Sequence, residues 1–117
     1  MVAIIDDDRA VLNSLQDLLE SAGLSARGYE SAEEFLASDH RHHTACLVTD
    51  IRMPGMSGLD LQASLRAMGS RLPVIFITAV DDPGVRTQAM TAGALGFLTK
   101  PIDDEVLLEL VRRALRS

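Results

Sequence analysis

Apolar residues along this chain follow two alternating rhythms. Short unbroken runs, Val2-Ala3-Ile4-Ile5, Ala45-Cys46-Leu47-Val48 and Val74-Ile75-Phe76-Ile77, are rich in β-branched residues and too short for helices. Such runs read as strands buried on both faces of a sheet. Between them the apolar positions recur with helical spacing. Over Arg9 to Ala22, Val11, Leu15, Leu18, Leu19 and Ala22 fall on one stripe, with Asn13, Asp17 and Glu20 opposite. That pattern predicts an amphipathic helix stopped by Gly23.

The remaining segments continue the alternation. Leu24 to Tyr29 is more polar and suits an edge strand, and Ser31-Ala32-Glu33-Glu34 predicts a capping box opening a short helix with Phe35 and Leu36. His40-Arg41-His42-His43 reads as a solvated loop. Ser57-Gly58-Leu59-Asp60 opens a third helix, packed through Leu61, Leu65 and Met68 and closed by Gly69. Asp82-Pro83 is a cap followed by proline at the first helical position. The helix it starts, 84–92, is thinly anchored, with Val85, Ala89 and Met90 as its main apolar groups. Leu95 to Leu98 predicts a last strand, and Asp103 caps a final helix running to about Arg116. On that helix Val106, Leu107, Leu108, Leu110, Val111, Ala114 and Leu115 span a wide arc, so Leu108 or Leu115 is expected to face a partner. Five strand–helix alternations require parallel strands with right-handed crossovers and helices on both faces. The expected fold is a doubly wound α/β domain over residues 1–117.

Composition narrows the function classes. With 117 residues, 47 % of them apolar, the chain can bury a core without disulfides or a structural metal. The single cysteine, Cys46, lies inside an apolar run and is expected to be a core residue in a reducing compartment. A formal charge of −6 argues against direct nucleic-acid binding by this domain. No run approaches the ~20 apolar residues of a membrane span, and three aspartates interrupt the N-terminal apolar segment. A cytoplasmic domain is expected.

The chemistry gathers at strand ends. The strands lead into Asp6-Asp7, Asp50, Thr78 and Lys100. In open α/β sheets the carboxyl edge is where ligands bind. If the polar strand lies at an edge, the other four ends converge and bring carboxylates, a hydroxyl and an ammonium into one crevice. Crowded carboxylates repel one another unless a hard cation sits among them, and Mg²⁺ suits carboxylates with phosphate oxygens. A carboxylate beside a lysine and a cation is a plausible nucleophile toward a phosphoryl group. Asp8 reads as a helix N-cap, and the three histidines lack partners at metal-ligand spacing.

These segments, Ile4-Ile5-Asp6-Asp7-Asp8, Thr49-Asp50-Ile51-Arg52-Met53-Pro54-Gly55-Met56-Ser57-Gly58-Leu59, Leu72 to Ala79, and Gly93 to Pro101, resemble a response-regulator receiver domain over essentially the whole chain. The wording from Arg52 to Leu59 is most similar to the FixJ-like branch. The resemblance implies strand order 2-1-3-4-5, as in the flavodoxin-like folds. It implies that Asp50 accepts a phosphoryl group from a sensor histidine kinase. Mg²⁺ (or Mn²⁺) would be held by Asp6, Asp7, Asp50 and the Arg52 backbone carbonyl. Thr78 and Lys100 would contact the phosphoryl oxygens, Phe97 would be the aromatic switch, and the bond before Pro101 would be cis. It further implies a phosphorylation-dependent homodimer through helix 84–92, strand 95–98 and the last helix, and a C-terminal DNA-binding domain outside this chain. The competing expectation is an aspartate-nucleophile phosphatase resembling the haloacid dehalogenases. It would use Asp6-x-Asp8 and the Asp103-Asp104 pair, but leaves Asp50 without a role.

Overall fold

The computed structural model describes residues 1–116. In chain order it contains β1 (Val2–Ile5), α1 (Arg9–Ser21), β2 (Ala26–Tyr29), α2 (Ala32–Leu36), a 3₁₀ helix (Asp39–His43), β3 (Cys46–Asp50), α3 (Gly58–Ala67), β4 (Val74–Thr78), α4 (Pro83–Thr91), β5 (Gly96–Thr99) and α5 (Asp104–Leu115). The five strands form one parallel sheet in the order β2-β1-β3-β4-β5. The doubly wound arrangement expected from the alternation is therefore present. The polar strand β2 lies at the edge, and β1, β3 and β4, the continuous apolar runs, occupy the middle.

Strand alternation divides the interior into two cores. Ala3, Ile5, Leu47, Val74 and Phe76 pack on one face with Phe35, Leu61, Leu65 and Ala89 from α2, α3 and α4. Val2, Ile4, Cys46, Val48, Ile75 and Ile77 pack on the other with α1 and α5. On α1 the buried residues are Leu12, Leu15 and Leu19, so the stripe is centred on Leu12 and Leu15, with Val11 and Leu18 at its margins. On α5 Leu107, Val111 and Ala114 are buried. Leu108 packs at the core margin, whereas Val106 and Leu115 are exposed.

Three local expectations need correction. His40–His43 lies within the 3₁₀ helix rather than an irregular loop, because the Ser38 side chain caps it by accepting from His40 N–H. The reciprocal capping box forms at Ser57/Asp60. At Ser31 only half exists: its hydroxyl accepts from Glu34 N–H, while the Glu34 carboxylate turns to Glu30 N–H. Met68 and Met90 are exposed rather than buried: Met68 is the C-cap residue that ends α3, and on α4 it is the neighbouring Ala89 that faces the core.

Candidate functional site

The parallel order places the ends of β1, β3, β4 and β5 side by side. Asp6, directly after β1, is fully buried, and Asp50, the last residue of β3, is nearly so. Lys100, directly after β5, reaches back to both. Its Nζ donates to Asp6 Oδ2 at 2.8 Å and to Asp50 Oδ2 at 3.3 Å. The second oxygens are also occupied: Asp50 Oδ1 accepts Ile51 N–H at 2.7 Å, and Asp6 Oδ1 accepts Asp8 N–H at 2.9 Å. Each carboxylate is thus oriented at both oxygens. Gly58 makes this end of β3 possible, because a Cβ there would lie 2.3 Å from the Asp50 carbonyl oxygen.

Burial, then the charge of Asp6, raises the Asp50 pKa, against the opposing influence of Lys100 and the Ile51 amide. Burial pulls the Lys100 pKa down, but the hydrogen bonds and charges of Asp6 and Asp50 outweigh it, and the net shift is upward. One ammonium thus bridges two carboxylates without fully relieving their repulsion. Asp7 is exposed beside them, and ligand oxygens of Asp6, Asp7 and Asp50 all lie within 4.8 Å of one another. Opposite ligands of an octahedral Mg²⁺ lie about 4.2 Å apart, so at most a small inward turn of these side chains would bring the three hard oxygens around such an ion.

Thr78 ends β4, buried, with its hydroxyl accepting Val80 N–H at 3.2 Å. Used as an acceptor there, the hydroxyl keeps its own proton to donate. The Thr78 carbonyl accepts Lys100 N–H at 2.7 Å, which ties the two strand ends together. The Lys100–Pro101 peptide is cis. Arg52 lies in the loop after β3 with an exposed side chain.

Phe97 is buried in the core under α4, 6.5 Å from Phe76 between ring centroids. The Arg86 guanidinium covers its ring at 4.6 Å and pairs with Asp81 at 3.1 Å. Sequence reading missed Arg86, as it missed Glu33, whose carboxylate accepts Met56 N–H. Both contacts are long-range or cross-element and leave no local pattern. Two acidic residues of the phosphatase reading are engaged elsewhere: Asp8 caps α1 and Asp103 caps α5. Burial pushes the Cys46 thiol up to about 12, consistent with an inert core residue. No helix among the described residues is long and apolar enough to cross a membrane.

Comparison with known proteins bears on the family and the fold. Residues 2–112 match the family model for the response regulator receiver domain. The chain is 44 % identical over 116 residues to the response regulator protein TodT of Pseudomonas putida, covering 99 % of this chain and 51 % of TodT. It is 45 % identical over 114 residues to the transcriptional regulatory protein FixJ of Azorhizobium caulinodans, covering 97 % of this chain and 54 % of that one. The chain thus spans about half the length of these curated relatives. Among solved structures, the response regulator StyR superposes with a TM-score of 0.90 at 41 % identity, covering 98 % of this chain and 58 % of StyR. FixJ-N superposes with a TM-score of 0.87 at 38 % identity, covering 98 % and 92 %.

Proposed function

Because this chain belongs to the response regulator receiver family, we propose that it is the phosphoacceptor switch of a bacterial two-component system, with Asp50 as the residue phosphorylated. The observation that carries this reading is Lys100 bridging Asp6 and Asp50 inside a triad of carboxylates. An Asp50 carboxylate oxygen attacks the phosphorus of a phosphohistidine on a sensor histidine kinase. The new O–P bond forms as the P–N bond breaks, and the electron pair leaves with the imidazole. Asp6, Asp7, Asp50 and the Arg52 carbonyl would hold Mg²⁺ (or Mn²⁺). When bound, the ion supplies charge that offsets the carboxylates and the transferring group. Lys100 pairs with one phosphoryl oxygen, and the Thr78 hydroxyl donates to another.

That last contact is the proposed output step. Turning Thr78 toward the phosphoryl group withdraws its hydroxyl from Val80 N–H, so the β4–α4 loop must rearrange. Asp81 in that loop is paired with Arg86, which covers Phe97, so the change reaches α4 and β5. The exposed Met90, Val106 and Leu115 on α4 and α5 then offer apolar surface for a homodimer through α4-β5-α5. The relatives are about twice as long and include transcriptional regulators. A C-terminal DNA-binding domain following residue 117 is accordingly part of the proposal.

The test is incubation with Mg²⁺ and acetyl phosphate followed by intact mass. A stoichiometric adduct, lost in Asp50→Asn, is expected. Thr78→Ala should form the adduct without dimerising. Continuous phosphate release that survives Asp50→Asn would overturn the proposal.

A further inference from the structure

Glu33 stands in the first turn of α2, exposed, and the phosphoryl chemistry proposed above makes no use of it. Its Oε2 accepts a hydrogen bond from Met56 N–H at 3.2 Å, a contact between residues 23 positions apart. Met56 lies in the loop that carries the chain from Asp50 to α3. The glycine beside it fits this contact. Gly55 has φ +77°, and a Cβ there would come within 2.4 Å of Glu33 Oε2. Only a residue without a side chain lets the carboxylate close on the backbone at this turn.

The loop is fixed at both ends by other means. At its start Ile51 N–H donates to Asp50 Oδ1, and the Ile51 and Met53 side chains are buried. At its end Gly58 N–H donates to Ile51 O at 2.8 Å, and Ser57 and Asp60 form the capping box. Arg52 is exposed between the buried Ile51 and Met53, and beyond them Pro54 and Gly55 form an exposed tip that the Glu33 bond ties to another element. A carboxylate accepting a backbone amide is a charge-assisted bond, stronger than its neutral counterpart.

We infer that Glu33 is a positioning residue of the cation site: by holding the tip of the 51–57 loop it sets the direction of the Arg52 carbonyl. The inference rests on the phosphoacceptor reading, in which that carbonyl completes the protein ligands. Outer partners of this kind matter because they hold a ligand in place before the ion arrives.

The experiment is a Mg²⁺ titration of the unsubstituted protein, Glu33→Ala and Glu33→Gln by calorimetry, with amide hydrogen exchange of Met56 measured in EDTA. Glu33→Ala should bind Mg²⁺ roughly five-fold more weakly, since the lost bond is exposed and one step removed from the ion. Its Met56 amide should exchange faster. Glu33→Gln retains an acceptor oxygen and should recover most of both properties. Unchanged Mg²⁺ affinity in Glu33→Ala would overturn the inference. So would a Glu33→Gln variant that keeps Met56 protected yet binds as weakly as Glu33→Ala, because charge rather than the tether would then be at work. Failure of the unsubstituted protein to bind Mg²⁺ would instead overturn the phosphoacceptor reading. In that case unchanged Met56 exchange in Glu33→Ala would show separately that the tether itself is absent.

Discussion

Helices α1 and α4 cover opposite faces of the same sheet and are held there by different forces. α1 buries Leu12, Leu15 and Leu19, all packed against the strands. α4 buries only Ala89. Val85 packs partly buried against the core, and the helix's remaining ties are polar or cationic. Asp82 caps its N-terminus, Gln62 donates to the Ala89 carbonyl at 3.2 Å, and Arg66 donates to the Ala92 carbonyl just after it. Arg86 lies over Phe97. A buried leucine has no equivalent partner outside the core, whereas a hydrogen bond can be exchanged for one to water at small net cost. The helix beside Thr78 is thus the one that can shift while the sheet stays intact. Elements that move in signalling come from the low-stability end of a fold.

The sharpest break of this contrast is Leu19→Ala. Leu19 is fully buried, and its truncation should cost about 3 kcal/mol of global stability, measured by urea unfolding. A loss as small as that of an exposed residue would mean that α1 is not the fixed side of the domain.

Second in size is Asp50→Asn without Mg²⁺. The folded-state pKa of Asp50 is raised, by burial first and Asp6 second. For a raised carboxyl, the native state favours the protonated form. Its contribution is complete below the unfolded pKa and is lost as pH rises through the folded value. At pH 7 the ionised Asp50 therefore destabilises the fold, and Asp50→Asn should raise the melting temperature by a few degrees. The gain should shrink as pH falls into the ordinary carboxylate range. A variant that melts lower at pH 7 would show that the Lys100 pair outweighs burial.

Arg86→Ala removes a partly exposed cation–π contact and an exposed ion pair, so its cost should stay below about 1 kcal/mol. The effect should appear locally, as faster amide exchange in α4 with α1 unchanged. Equal acceleration in both helices would erase the distinction drawn between them. The smallest effect belongs to Met90→Ala. With Met90 43 % exposed, stability should change by less than about 0.5 kcal/mol. Weaker dimerisation of the phosphorylated variant at unchanged stability would then assign Met90 to the interface.

What depends on short range was legible along the chain. Strand runs, helical stripes, the aspartate caps at 8, 82 and 103 and the glycine stops are written within a few residues, because dihedral preference and burial periodicity act locally. The polarity of β2 marked it as an edge, which allowed the ends carrying Asp6, Asp50, Thr78 and Lys100 to converge, while the strand order itself was implied by the resemblance to the receiver family. The tertiary structure decided which groups meet. Lys100 and Asp6 are 94 positions apart, and only the folded sheet shows that one ammonium serves two carboxylates. Ser31-x-x-Glu34 carries the pattern of a reciprocal cap, yet Glu34 is drawn to Glu30, and the pattern cannot register that competition. The same holds for the breadth of the apolar arc on α5, where packing buried one edge and left Val106 and Leu115 outside. Glu33 reaching Met56 and Arg86 covering Phe97 are contacts between separate elements. A local pattern records what a residue prefers, and the packed fold decides which neighbour satisfies it.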